Sequence, residues 1–167
     1  DYYWRAFQAD RSNSWGVVQY LSLSVVLSRW QNHENIKRKQ YEKAEADLWT
    51  LAHATSRQDV HSADLETKTW AIGNLIELYL LAPILDDWPG KPDQVSSEQE
   101  AVSYARQLVE LVGEDDFAVY STQRQMARYE EWYSKWANLD SVQVQATNLI
   151  YALPSTWESQ DGKPIVY

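Results

Sequence analysis

One helix is written twice in this chain. Ser14-Trp15-Gly16-Val17-Val18-Gln19-Tyr20-Leu21-Ser22-Leu23 and Thr69-Trp70-Ala71-Ile72-Gly73-Asn74-Leu75-Ile76-Glu77-Leu78 align Trp on Trp and carboxamide on carboxamide, 55 positions apart. In each, an apolar pair, a polar residue and a Leu follow the carboxamide. A helix that is apolar on most sides must lie between neighbours. One helical hairpin does not bury such a helix alone, so a repeated copy points to stacked hairpins. A chain of that kind is expected to offer a surface that holds a partner before it offers a pocket for chemistry.

Composition narrows the class further. The 167 residues, 44% hydrophobic and 13% aromatic, suit an ordered core rather than a disordered segment. Five Gly and five Pro are too few for the frequent turns of an all-β domain. The net charge of −9 opposes binding to nucleic acid or to an anionic membrane surface. Cysteine is absent, which removes disulfides, thiolate metal sites and a cysteine nucleophile, and fits a cytoplasmic setting. No apolar run reaches the ~20 residues of a membrane span. The chain opens without Met inside what reads as a helix, so it is expected to be a segment of a larger multidomain protein.

Read along its length, the chain alternates amphipathic helices with polar links. A helix closes near Ala9, at the turn-prone Asp10-Arg11-Ser12-Asn13. Ser14 is placed to cap the next, about Trp15 to Arg29. After a link over 31–35, a long helix to about Arg57 is expected to bury Tyr41, Ala44, Leu48 and Leu51, with Ala52 beside them. The second Trp helix runs from about Glu66 to Leu85 and stops at Asp86-Asp87-Trp88-Pro89-Gly90. Ser97 and Glu100 have capping-box spacing for a helix that reaches Val112, with Gly113 as its C-cap. Helices over about 115–136 and 140–152 follow, then an extended tail. The expected organisation is one helical-repeat domain over 1–167: first hairpins over 1–58, a second hairpin over 66–113, C-terminal helices over 115–154 and a tail over 155–167.

Tyr3-Trp4-Arg5-Ala6-Phe7-Gln8-Ala9-Asp10-Arg11-Ser12-Asn13 resembles the close of a tetratricopeptide repeat, Tyr-x-Lys-Ala-Leu-x-Leu-Asp-Pro-x-Asn. Tyr3, Ala6, Asp10 and Asn13 match, and Arg11 stands where the family carries Pro. Asn74-Leu75-Ile76-Glu77-Leu78-Tyr79 is similar to the Asn-Leu-Gly-x-x-Tyr of a first helix, and Glu100 to Leu108 to a second helix. The resemblance implies an all-α fold: antiparallel helical hairpins in a short right-handed array, whose first helices line a groove for a protein or peptide partner.

Carried over by position, Trp15, Gln19 and Ser22 fall on one first helix, with Trp70, Asn74 and Glu77 matching them on the other. The carboxamides would bond a peptide backbone and the Trp residues would anchor it. The opposing expectation puts both Trp residues in the core and uses the amides to satisfy neighbouring backbone groups; on balance Trp70 is expected to be mostly buried and Trp15 partly exposed. Glu77, a charge on a nearly apolar helix, is expected to pair with an Arg such as Arg106 or Arg124. Arg124 and Arg128 are expected to face Glu130 and Glu131. His33, His53 and His61 read as solvated surface residues, with no metal-binding spacing. No catalytic constellation, phosphate loop, metal site or cofactor motif is present, so no enzymatic activity and no cofactor are expected of this segment. The expected function is a noncatalytic protein-interaction module. The alternatives are a structural segment that packs on its parent chain or on a second copy, and a small-molecule-sensing helical domain built around Glu77, Asn74 and Arg124.

Overall fold

The computed structural model describes residues 2–10, 14–29, 38–85, 88, 90–137 and 139–157. Among these the fold is all-α, with no strand. Its elements are α1 (Tyr2–Ala9), α2 (Ser14–Arg29), α3 (Arg38–Asp59), α4 (Leu65–Leu81), α5 (Gln94–Val112), α6 (Phe117–Arg128), α7 (Ser134–Ala137) and α8 (Asp140–Ala152). The turn at 11–13, the link at 31–35, His33, and the tail over 158–167 lie outside the described residues.

The centre is α4, which packs against α2, α3, α5, α6 and α8. Its sequence explains the position: apart from Gly73, every residue from Ala71 to Leu81 is buried. Asp64 caps it, its carboxylate accepting from the Thr67 N–H at 2.8 Å and the Thr67 hydroxyl at 2.6 Å. Those bonds, the hydroxyl's first, hold the Asp64 carboxyl below its ordinary pKa. At the far end Pro83 ends the regular helix, because proline has no N–H for the ladder. The chain leaves through a 3-10 turn, Ala82–Ile84.

Three local expectations are corrected by longer-range packing. The buried stripe of α3 is Trp49, Ala52 and Ser56, with Val60 just beyond the helix. Leu51 is 47% exposed, and the side chains of Tyr41 and Ala44 lie outside the description. An indole buries more area than a Leu, and Trp49 meets Trp88 at 5.9 Å, so α3 is rotated toward the Trp. The N-cap of α5 is Asp93, whose carboxylate accepts from the Ser96 N–H at 2.9 Å. Ser97 instead lies buried one turn in and donates to the Pro92 carbonyl. Gly113 does close α5, at φ 91°, a backbone conformation that suits glycine.

His53 is the third correction. It is half-buried rather than solvated: its Nε2 lies 3.1 Å from the Tyr79 hydroxyl, and its ring meets Tyr79 and Trp88 edge-on. Burial, and then the charge of Arg57, lower its pKa. His61 is exposed.

The expected helix over 115–136 is interrupted. α6 passes through a π-helical turn, Tyr129–Tyr133, before it continues as α7. The Tyr129 carbonyl closes that turn by accepting the Ser134 backbone N–H, and the Ser134 hydroxyl donates to it as well. Asp116 caps α6 through the Ala118 N–H at 2.7 Å. Beyond α8 the chain returns: the Thr156 N–H donates to the Glu114 carbonyl, and Trp157 packs on Phe117 and Tyr120.

The rotated face of α3 is testable. Trp49→Ala should cost ~3–5 kcal/mol of unfolding free energy through lost burial and a cavity. Leu51→Ala should stay within ~0.5 kcal/mol. Urea denaturation of the two variants checks this, and equal losses would contradict the packing.

Candidate functional site

Three helices run the same way across one side of the molecule. The Asn74 Nδ2 donates to the Ser14 hydroxyl at 3.0 Å near the start of α2, and Arg29 at the end of α2 donates to the Ile84 carbonyl beyond α4. Those two contacts, in the same order along both helices, make α2 and α4 parallel. Between α4 and α6, Trp70 meets Phe117, Gly73 faces Thr122, and Glu77 bonds Gln125, so α6 is parallel as well. α3 and α5 pack against α4 through His53 and Tyr104, which flank Tyr79.

Between the three parallel helices lies a groove of about 700 Å³. Five of the six residues singled out in the sequence as partner-binding line it: Trp15, Gln19, Trp70, Asn74 and Glu77. Ser22 does not; it is buried one turn deeper, where its hydroxyl donates to the Val18 carbonyl at 2.8 Å. Trp15 is 38% exposed and edge-on to Tyr3 at 5.4 Å. Trp70 is partly buried, edge-on to Phe117 at 6.5 Å. Neither indole is a core residue, and both reach the groove.

The floor is a polar network around Glu77, which is only 3% exposed. Its Oε1 accepts from the Tyr129 hydroxyl at 2.7 Å and from the Gln125 Nε2 at 3.0 Å. Its Oε2 accepts from the Gln19 Nε2 at 2.7 Å. The expected Arg partner is therefore replaced by three neutral donors, one from α2 and two from the α6 side. Arg106 is exposed on α5 and lines a different surface. Arg128 acts one residue removed: its Nη1 donates to the Gln125 Oε1 at 2.8 Å, which turns the amide N–H toward Glu77. Arg124 donates to the Tyr120 hydroxyl at 3.2 Å. Glu130 and Glu131 accept from the Thr147 hydroxyl and the Trp132 indole N–H.

Burial, and then the Glu77 carboxylate beside it, push the Tyr129 phenol well above its ordinary pKa. It stays a donor to Glu77, with the Ser22 hydroxyl also within bonding reach. Nothing in the sequence marked Tyr129 or Gln125 as partners of Glu77, because the contact crosses 52 and 48 positions of chain. The π-helical turn that starts at Tyr129 has no local signature either. Asn74, Glu77 and Arg124 share the groove, and each is engaged by a different side chain: Asn74 by Ser14 and Glu77 by Gln19, both on α2, and Arg124 by Tyr120 on its own helix.

Among the described residues, no group of three or more His, Asp or Glu is placed to hold a metal ion. Likewise, no described helix is long and apolar enough to cross a membrane. No protein family, curated protein or solved structure matches this chain.

Two outcomes follow from the network. Glu77→Ala leaves three buried donors without an acceptor, and should cost ~3 kcal/mol or more of unfolding free energy in chemical denaturation. Tyr129 acts through pH. Its folded pKa is raised, so its contribution is full below the unfolded value of about 10 and is lost as pH rises above that. Tyr129→Phe should therefore flatten the alkaline fall in stability, measured as urea midpoints across that range. An unchanged alkaline limb would contradict the assignment.

Proposed function

We propose that this chain is a noncatalytic protein-interaction module of a larger protein, which holds an extended peptide segment of its partner in the groove. The observation that carries the reading is the shared opening of Trp15 and Trp70 on one groove across three parallel helices. The tetratricopeptide resemblance adds to it. In that family the first helices of successive repeats line the binding face, and the resemblance would give that role to α2, α4 and α6, the three helices that line this groove. Large, partly exposed indoles with a polar tip are the side chains that most often dominate peptide and protein recognition. The carboxamides are committed to the walls, so the reading rests on the aromatic anchors and not on Gln19 or Asn74 as backbone readers. The cytoplasmic setting expected from the lack of cysteine belongs to the same reading.

A random dodecapeptide library displayed on phage, selected against the purified chain, tests it. Selected peptides should lose ~2 kcal/mol of binding in Trp15→Ala, read by calorimetry. The same variant should melt within a few degrees of the parent, because its indole is not part of the core. Absence of any selected peptide, or peptides indifferent to both Trp15→Ala and Trp70→Ala, would overturn the reading. A dimer dissolved by the same substitutions would put self-association in its place.

A further inference from the structure

The charges around the groove say what kind of peptide it takes. Its lining carries Asp10, Asp59, Asp64, Glu66 and Glu77 against Arg124 and Arg128. The two cations sit on the α6 wall and are drawn into it, Arg124 to the Tyr120 hydroxyl and Arg128 to Gln125. Asp64 and Glu66, at the start of α4, are exposed, Asp59 is partly so, and all three line the groove together with Trp70. The chain as a whole carries −9, so its longer-range field adds to the local one.

In the floor, Glu77 has unfilled capacity. A carboxylate oxygen accepts two donors. Oε1 has two, whereas Oε2 has only Gln19 among the described residues. A buried carboxylate with one open acceptor position, in a groove whose mouth is aromatic and acidic, is complementary to an ammonium or guanidinium group. Indoles contribute to the same preference, since a cation is attracted to the face of Trp more strongly than to other rings.

We infer that the peptide held in this groove is basic, and enters with a Lys or Arg side chain between the aromatic residues and the acidic end of α4. The inference rests on the peptide-binding reading above. An acidic peptide, including a free C-terminal carboxylate, would meet the carboxylates first and be repelled.

The test uses the same dodecapeptide selection followed by calorimetry with synthetic peptides. Selected sequences should be enriched in Lys and Arg. Replacing the basic residues of a selected peptide by Gln should weaken it at least tenfold. Raising salt from ~0.05 to ~0.5 M should weaken the parent peptide, because exposed charges are screened at short range in strong salt. The double variant Asp59→Asn/Glu66→Gln should weaken the basic peptide severalfold and leave its Gln version unchanged. Both substitutions avoid the cap and the buried network, and melting curves check that the fold is kept. Selected peptides that depend on Trp15 yet show no basic enrichment and no loss on Lys→Gln replacement would overturn this inference and leave the groove reading standing. Failure to select any peptide would remove both.

Discussion

A carboxylate with no direct cation among the described residues holds the middle of this molecule. Taking Glu77 out of water costs several kcal/mol even in a relaxed protein interior. The cost is offset because hydrogen bonds to a charged group are about twice as strong as neutral ones. Gln19, Gln125 and Tyr129 supply three. Those donors come from α2 and from both sides of the junction between α6 and the π-helical turn, so one side chain of α4 ties together every wall of the groove. Apolar contact alone specifies the register of such helices weakly, because α2 and α4 are hydrophobic on most sides and would pack in several slid positions. A directional network fails if either neighbour slips by one turn. We take the network as the element that fixes the register, and the groove as its consequence: the aromatic pair opens on one surface only while α2 and α4 keep their offset.

The architecture follows from local signals, and those are what the sequence made legible. The repeated Trp helix, the break near 60, Gly113 after α5 and the helix over 140–152 could all be read from spacing and from Gly, Pro and Asp. Five of the six candidate residues were brought to one groove, because residues at equal positions in two parallel helices face the same neighbour. Errors appear where a choice between adjacent residues is made by something distant. Leu51 and Trp49 both fit a helical stripe, and only Trp88 on another segment decides between them. Asp93 and Ser97 both suit a cap, and burial of Ser97 against Pro92 decides that case. His53 reads as polar until Tyr79 and Trp88 are placed around it. The partners of Glu77 belong to the same class. A lone acid on an apolar helix suggests an Arg, but the space beside it is filled by two amides and a phenol from remote parts of the chain.

The parallel arrangement also decides how the groove's charges divide. Three helices that run the same way bring three N-termini to one end, each equivalent to about half a positive charge. At that end lie Trp15 of α2, Glu66 of α4 and Phe117 of α6, all lining the groove. Some of the carboxylates there belong to the helices: Asp64 and Asp116 accept backbone N–H groups as caps, and their charge answers the dipole of their own helix. A simple count of acids therefore overstates the field an incoming peptide meets. Glu66 stands in the first turn of α4, where the dipole of that helix also answers its charge, whereas Asp59 lies at the end of α3, where the dipole has the opposite sense. Asp59 therefore carries the negative charge at the mouth that no helix dipole answers, while Glu77 carries it at the floor. In the proposed reading, selectivity for a cation rests on the positions of Asp59 and Glu77 in the groove rather than on the acidic composition of the chain.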